Sequence, residues 1–240
     1  MSVREDIDQY IEYLQTQKQE IAVVMNARPI YRKILYLIEI DTMSRAAFPR
    51  IPSNRQRVIN FIDTCSNWPD KDRVSAVQLK FELEDKEIRS GQLYDFVDGH
   101  IKSWKDPSII PSRYTIMPEN DLTLQEVQRI MTEEENNYIH KVLYKELLYT
   151  YRNHLLHEFR EPGKVLDPAI DLESNCHTPY YRDTEDGDPN SSENLWELQF
   201  PIQFLGNLCE GCISGLKTYL VANNLNPFES YKFGTHWRRS

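Results

Sequence analysis

The chain has 240 residues, 40% of them apolar, which is enough to bury one substantial core. This excludes a small disulfide-stapled scaffold and a largely disordered chain. Only 8 glycines are present, so a glycine-rich phosphate-binding loop is not expected. Because the net charge is -9, a nucleic acid would have to bind through a local basic patch, against the overall field of the protein.

The N-terminal residues mix charges into a helical pattern, so we expect no signal peptide. No stretch approaches the roughly 18 consecutive apolar residues that a membrane span requires. The four cysteines are spaced irregularly and do not form the pattern of a disulfide framework. We therefore expect a cytoplasmic protein with reduced thiols and no membrane attachment.

The N-terminal half is predicted to be helical. Apolar residues at three- and four-residue spacing indicate a first helix over about residues 3–25. A second helix spans about 29–49, with a proline in its first turn and apolar residues on more than one face, which is typical of a central helix. A third spans about 53–69 and begins with a capping serine. Residues 75–104 form two shorter helices, which are interrupted near Ser90-Gly91.

The middle of the chain begins with a connection that contains prolines at 107, 111 and 118. Either Asp121 or Thr123 then starts a helix, with Glu126 completing a capping box. The longest predicted helix follows, from about residue 133 to 160.

The C-terminal part changes in composition. Residues 183–193 hold acidic and no basic residues and are predicted to form a loop. Apolar and polar residues alternate at 196–200, which indicates a strand, and we expect this strand to pair with 178–182 as a hairpin. Pro179 would confine its strand to an edge position. Because a last helix follows over about 201–223, the predicted fold is mainly α: one helical-bundle domain with a small β-hairpin insertion before its final helix.

The segment from Tyr149 to Arg160 has a distinctive distribution of side chains on a helical wheel. With 100° per residue, Asn153 and His157 lie on the side opposite a predicted buried stripe, and Arg152 lies at the edge of that stripe. Tyr149 and Leu156 share the polar side, where large apolar groups suggest contact with another surface. The predicted stripe consists of residues four apart: Leu147, Tyr151, Leu155 and Phe159.

Arg152 and His157 are suited to chemistry on a phosphodiester. Arginine is permanently charged and binds phosphate oxygens through a planar fork, while histidine exchanges a proton near neutral pH. The alternative is that both residues belong to an ordinary solvated helix face.

The sequence Arg-Asn-His-Leu-Leu-His at residues 152–157 resembles the R-x4-6-H motif of the HEPN superfamily. Arg152 and His157 match the two fixed positions of that motif and Asn153 matches its polar position, whereas His154 is not required by it. The resemblance implies a HEPN-like helical bundle with a motif-bearing core at about 130–224. It does not extend to residues 1–125, whose helices we expect to pack on that core.

The same resemblance implies a metal-independent endoribonuclease without a cofactor, active as a homodimer in which two motifs face each other. Such a protein would be a toxin or an antiviral-defence effector, with RNA as substrate and a cognate antitoxin or defence-system protein as a further partner. Arg152, Asn153 and His157 would be catalytic, and a ribose 2′-hydroxyl would attack the adjacent phosphate. The alternative function is a non-catalytic subunit that uses this helix face for dimerisation or for holding a partner.

Residues 42–62 contain four arginines and no acidic residue, in a chain that is otherwise rich in acidic residues. This segment is the predicted RNA-backbone patch. The alternative is that its arginines pair with carboxylates elsewhere in the protein. The arginines are Arg45, Arg50, Arg55 and Arg57.

Cys209 and Cys212, together with Cys176-His177, would supply four zinc ligands. Helical spacing with neighbouring leucines favours the other interpretation, in which Cys209 and Cys212 are small core residues and no metal is bound.

The aromatic tail at residues 228–237 is favoured as a strap that packs over the helices. The alternative is base stacking at an RNA site, with His236, Arg238 and Arg239 adding charge.

Overall fold

The structure, a computed structural model, describes residues 2–24, 29–104, 115–162, 175–183 and 196–230. These residues are mainly helical with one small antiparallel sheet, as the sequence predicted. The chain divides into two compact units: the first is Met1–Trp68 with Gly206–Ser240, and the second is Pro69–Leu205. The single domain of residues 1–240, with a motif-bearing core at about 130–224, stays a prediction.

The helices of the described residues are α1 (Val3–Val23), α2 (Pro29–Ala47), α3 (Asn54–Cys65), α4 (Ala76–Asp85), α5 (Gln92–Ser103), α6 (Leu124–Gln128), α7 (Asn136–Ile139), α8 (Tyr144–Glu158) and α9 (Ile202–Asn223). The strands are β1 (Thr115–Ile116), β2 (Tyr180–Asp183) and β3 (Trp196–Gln199), and single 3-10 turns lie at Pro118–Asn120 and Pro227–Ser230. Among these helices, none combines the length and the apolarity that crossing a membrane requires.

The first unit is built around α2, which confirms the predicted central helix. Its buried residues lie on several faces, and it packs against α1 and α3. On α9, Gly206 lies beside the Tyr36 ring and Gly215 lies against the backbone of Cys65 at the end of α3. Lys217 of α9 forms an ion pair with Asp8 of α1 at 2.9 Å.

The approach of α9 to α3 depends on Gly215 having no side chain. A Cβ atom at this position would lie 2.0 Å from the Cys65 carbonyl oxygen, which is part of the rigid backbone. At Gly211, one turn earlier on the same helix, the nearest atom to an added Cβ would be 3.6 Å away, an ordinary contact.

We expect Gly215→Ala to lower the free energy of unfolding by about 2 kcal/mol or more, because the two helices must separate to accommodate the methyl group. Gly211→Ala is the matched control, and it should leave stability unchanged or raise it by up to about 1 kcal/mol, since alanine favours a helix interior. Urea unfolding followed by circular dichroism measures both. Equal stability of the two variants would contradict the close approach.

The second unit contains α4 to α8 and the sheet. Its strand order is β1-β2-β3, with every pair antiparallel and with Tyr181 opposite Leu198 in the pairing of β2 with β3. The predicted hairpin is confirmed. The predicted edge position is wrong, because β1 pairs with the other side of β2 and makes β2 the central strand. Proline has no backbone N–H to donate within a sheet. Pro179 lies immediately before Tyr180, the first paired residue, so β2 is central although a proline precedes it.

Local capping signals in the second unit are correct, whereas the long predicted helix over 133–160 is wrong. Thr123 and Glu126 form the expected capping box of α6, and Gly91 interrupts the chain between α4 and α5 with a φ of 113°. The predicted long helix is divided because Leu143 is extended and bridges Val74. The backbone on either side joins the same bridge: Ser75 N–H donates to the Val142 carbonyl, and Tyr144 N–H donates to the Arg73 carbonyl.

A buried carboxylate at Asp121 joins these segments. Its Oδ1 accepts hydrogen bonds from Ala76 N–H at 3.0 Å and Leu122 N–H at 2.9 Å. Its Oδ2 accepts from the Tyr144 hydroxyl at 2.9 Å. The Tyr181 hydroxyl lies in the same cluster and donates to Ser75 Oγ at 2.5 Å. Asp121 therefore connects the first residue of α4 to the first residue of α8 and so positions the helix that carries the motif.

Burial raises the pKa of Asp121 to about 6, although hydrogen bonds from Leu122, Ala76 and Tyr144 act to lower it. Because this pKa lies above the ordinary value of 3.8, the folded protein binds the proton more tightly than the unfolded chain. Stability attributable to this group is therefore greatest below pH 4 and falls, by about 3 kcal/mol in total, as the pH rises through 6.

We expect Asp121→Asn to remove this part of the pH dependence, since the amide does not titrate while its oxygen still accepts from the backbone. The measurement is the free energy of unfolding between pH 4 and pH 7.5 for wild type and variant. Asp121→Ala is the comparison, and it should also lack this pH dependence but be about 3–5 kcal/mol less stable than wild type at pH 4, because two backbone donors and a tyrosine hydroxyl lose their acceptor. A wild-type pH profile that matches the Asn variant would refute the expectation.

Candidate functional site

The helix α8 presents the motif, and its buried face differs in part from the predicted stripe. Leu147 is half-buried, and Phe159 is 66% exposed. The prediction for Phe159 is wrong because the helix ends at Glu158 and Phe159 takes a left-handed φ of 54°, so the helical wheel no longer applies to it. The buried apolar residues of α8 are Tyr144, Leu148, Tyr151 and Leu155.

Arg152 is held by its neighbours on the helix. Its Nη1 donates to Asn153 Oδ1 at 2.9 Å, and its guanidinium carbon lies 5.8 Å from the centre of the Tyr149 ring. Stacking on an aromatic ring and a side-chain hydrogen bond both restrict the rotamers of a flexible arginine. Asn153 therefore contacts the arginine of the motif and orients one terminal nitrogen of its guanidinium group.

His157 is exposed in the last turn of α8, on the side away from Tyr151 and Leu155, as the sequence predicted. Tyr149 and Leu156 are half-buried, so the face around the motif is neither fully solvated nor part of the core. One chain thus presents an ordered arginine and an accessible imidazole on a single helix.

His154 has a partner that the motif does not include. Its Nδ1 lies 2.9 Å from Glu158 Oε1, and Arg160 Nη2 lies 2.6 Å from Glu158 Oε2. The hydrogen bond with His154 and the nearby Arg160 lower the pKa of Glu158, so its carboxylate stays charged. The i, i+4 spacing of His154 and Glu158 is a sequence signal that motif matching alone misses.

A cleft of about 360 Å³ opens beside α8 in the second unit. Its walls come from α4, α8 and β3, and Tyr151 and Phe200 meet within it at a ring-centre distance of 5.0 Å. No pattern in the sequence indicates this cleft, because it combines three separate parts of the chain. The lining residues are Gln78, Phe81, Leu147, Thr150, Tyr151, His154, Pro162, Trp196, Glu197, Leu198 and Phe200.

The arginine patch lies in the first unit, and only part of it is exposed and available to bind RNA. Arg45, Arg50 and Arg55 are exposed. Arg57 is 7% exposed; its Nη1 donates to the Ile51 carbonyl at 3.3 Å and its Nη2 donates to Asn54 Oδ1. Arg57 therefore binds its own loop, and the structure removes it from the candidate RNA contacts.

Cys209 and Cys212 are fully buried on α9, which confirms the core interpretation. The Cys209 thiol donates to Glu39 Oε2 at 3.1 Å, and burial raises the pKa of this thiol far above its ordinary value. Cys176 donates to the Thr178 carbonyl at 3.2 Å. Within the described ranges, no three or more His, Cys, Asp or Glu side chains are grouped so as to hold a metal ion.

In the C-terminal tail, Phe228 packs edge-on against Tyr10 with ring centres 5.5 Å apart. Residues 231–240, with His236, Arg238 and Arg239, lie outside the described residues, as does most of the predicted acidic loop at 183–193.

No protein-family model, curated protein or solved structure matches the chain. The resemblance to the HEPN superfamily therefore rests on residues 152–157 and stays a prediction.

We expect Arg57→Ala to lower the free energy of unfolding by about 1–3 kcal/mol, because the loop carbonyl of Ile51 and the Asn54 side chain lose their donor. Arg55→Ala, an exposed arginine two residues away, is the control and should change stability by no more than about 0.5 kcal/mol. Chemical unfolding of both variants provides the measurement. If Arg57→Ala were as stable as wild type, the hydrogen bonds of Arg57 would not hold its loop, and Arg57 would again be a candidate for binding RNA.

Proposed function

We propose that the protein is a metal-independent endoribonuclease of HEPN type that acts in the cytoplasm as a toxin or defence effector. The single observation that carries the proposal is the arrangement on α8, where a held Arg152 and an exposed His157 lie outside the buried face of one helix. An arginine fork and an imidazole are the groups needed to bind a phosphodiester and to move its protons.

In the proposed reaction, the ribose 2′-hydroxyl attacks the adjacent phosphorus and the bond to the 5′-oxygen breaks. His157 takes the proton of the hydroxyl, and the imidazolium so formed gives that proton to the departing 5′-oxygen. Arg152, oriented by Asn153, stabilises the charge that builds on the phosphoryl oxygens. The products carry a 2′,3′-cyclic phosphate and a 5′-hydroxyl. The ribose itself supplies the nucleophile, so these residues need no metal ion for the step.

The proposal includes a symmetric homodimer and sequence-independent contacts to the RNA backbone. Tyr149 and Leu156 supply apolar area around the motif, and a self-complementary interface would bring two copies of the motif together. Arg45, Arg50 and Arg55 are the exposed cations proposed to contact phosphates. A cognate antitoxin or defence-system protein would be the regulatory partner.

The test is cleavage of mixed RNA by purified protein in the presence of a chelator. We expect His157→Ala and Arg152→Ala each to lose at least about 100-fold in cleavage rate, because each removes a group used in the transition state. Analysis of the cleaved ends should find the cyclic phosphate. His140→Ala, which removes another exposed histidine of the second unit, is the matched control and should retain full activity.

Circular dichroism of the same variants separates lost chemistry from lost folding. Activity in His157→Ala equal to that of wild type would refute the proposal. A wild-type protein that dimerises but leaves RNA intact would favour the alternative, a non-catalytic interaction subunit that uses Tyr149 and Leu156 for association.

A further inference from the structure

The cleft beside α8 is lined on several sides by aromatic rings. Phe81 of α4, Tyr151 of α8, Trp196 of β3 and Phe200 all border it. Its volume of about 360 Å³ falls within the roughly 300–1,000 Å³ typical of small-molecule sites. Of these rings, Phe81 is 38% exposed and the other three are nearly buried, so Phe81 is the ring whose face can stack on a planar ligand.

The cleft also has polar groups suited to the edge of such a ligand. Trp196 is 4% exposed and its indole nitrogen is buried, so a ligand in the cleft does not reach it and the polar groups come from other lining residues. Gln78 and Glu197 add an amide and a carboxyl group to the same lining. The lining thus combines a stacking surface with hydrogen-bonding groups, as recognition of a base edge requires.

The cleft and the motif share one helix. Thr150 and His154 border the cleft, and His157 follows His154 by three residues. Residues three apart on a helix have Cβ atoms about 5–6 Å apart, so the mouth of the cleft lies next to the exposed imidazole. A base in the cleft would therefore belong to a nucleotide next to the phosphate at His157.

We propose that this cleft binds one nucleobase of the RNA strand and so fixes where the strand is cut. The proposal rests on the function proposed above and adds a base-binding subsite to it, with Phe81 as the stacking group. The Gln78 amide hydrogen-bonds the edge of the base. Free nucleotides offer the same chemistry, and the experiment distinguishes them from a strand.

The experiment measures binding of single-base RNA octamers with 2′-O-methyl groups, which block the nucleophile and keep the strand intact. Fluorescence anisotropy gives the affinity for A, C, G and U octamers, and titration with the four nucleoside monophosphates forms the second arm. Phe81→Ala is compared with Phe96→Ala. The two phenylalanines belong to the same unit and are 38% and 37% exposed, but only Phe81 lines the cleft.

We expect Phe81→Ala to bind its preferred octamer roughly tenfold more weakly, because one base loses its stacking partner. Phe96→Ala should bind within about twofold of wild type. Phe81→Tyr keeps the ring and should restore affinity, which separates stacking from a folding defect.

Equal binding by Phe81→Ala and Phe96→Ala would overturn the subsite, even if cleavage depends on His157. Binding of nucleoside monophosphates alone, through Phe81, would overturn the RNA-strand proposal in favour of a free nucleotide. Octamer binding that depends on Phe81, by a protein that never cuts RNA, would retain the subsite and refute the proposed activity.

Discussion

The second unit depends on one buried carboxyl group. Asp121 accepts from the backbone at the start of α4, from its own neighbour Leu122, and from the hydroxyl of the first residue of α8. These segments are distant in sequence, and only a group with several acceptor sites can satisfy all of their donors at one point. Because α8 carries both the motif and one wall of the cleft, the geometry of the candidate site depends on a residue that is not in it.

Local chemistry was sufficient to predict much of the fold. A proline opens α2 and another precedes α9, while Thr123 and Glu126 cap α6, and each of these effects acts within a few residues. Gly91 likewise interrupts the chain where its positive φ is needed. The exposed position of His157 followed from helical periodicity alone, since the helix continues past that residue.

Most of the features that the sequence could not predict depend on distant partners. The start of α8 is set by the bridge between Leu143 and Val74, and the central place of β2 is set by β1, a strand of only two residues. Arg57 differs from these, because its partners Ile51 and Asn54 are close in sequence; composition alone does not reveal that its guanidinium binds them. The cleft does depend on distant partners, because its walls meet only after the second unit has folded.

The environments of the cysteines have a practical consequence for spectroscopy. Cys65, Cys209 and Cys212 are buried, and burial raises the pKa of Cys65 to about 12, so none of these thiols offers an accessible thiolate. Cys176 is only half-buried and lies just before β2, in the unit that carries the motif. A maleimide dye added to the unmodified folded protein would therefore attach selectively at Cys176, giving a fluorescent reporter in the unit of the candidate site without mutagenesis.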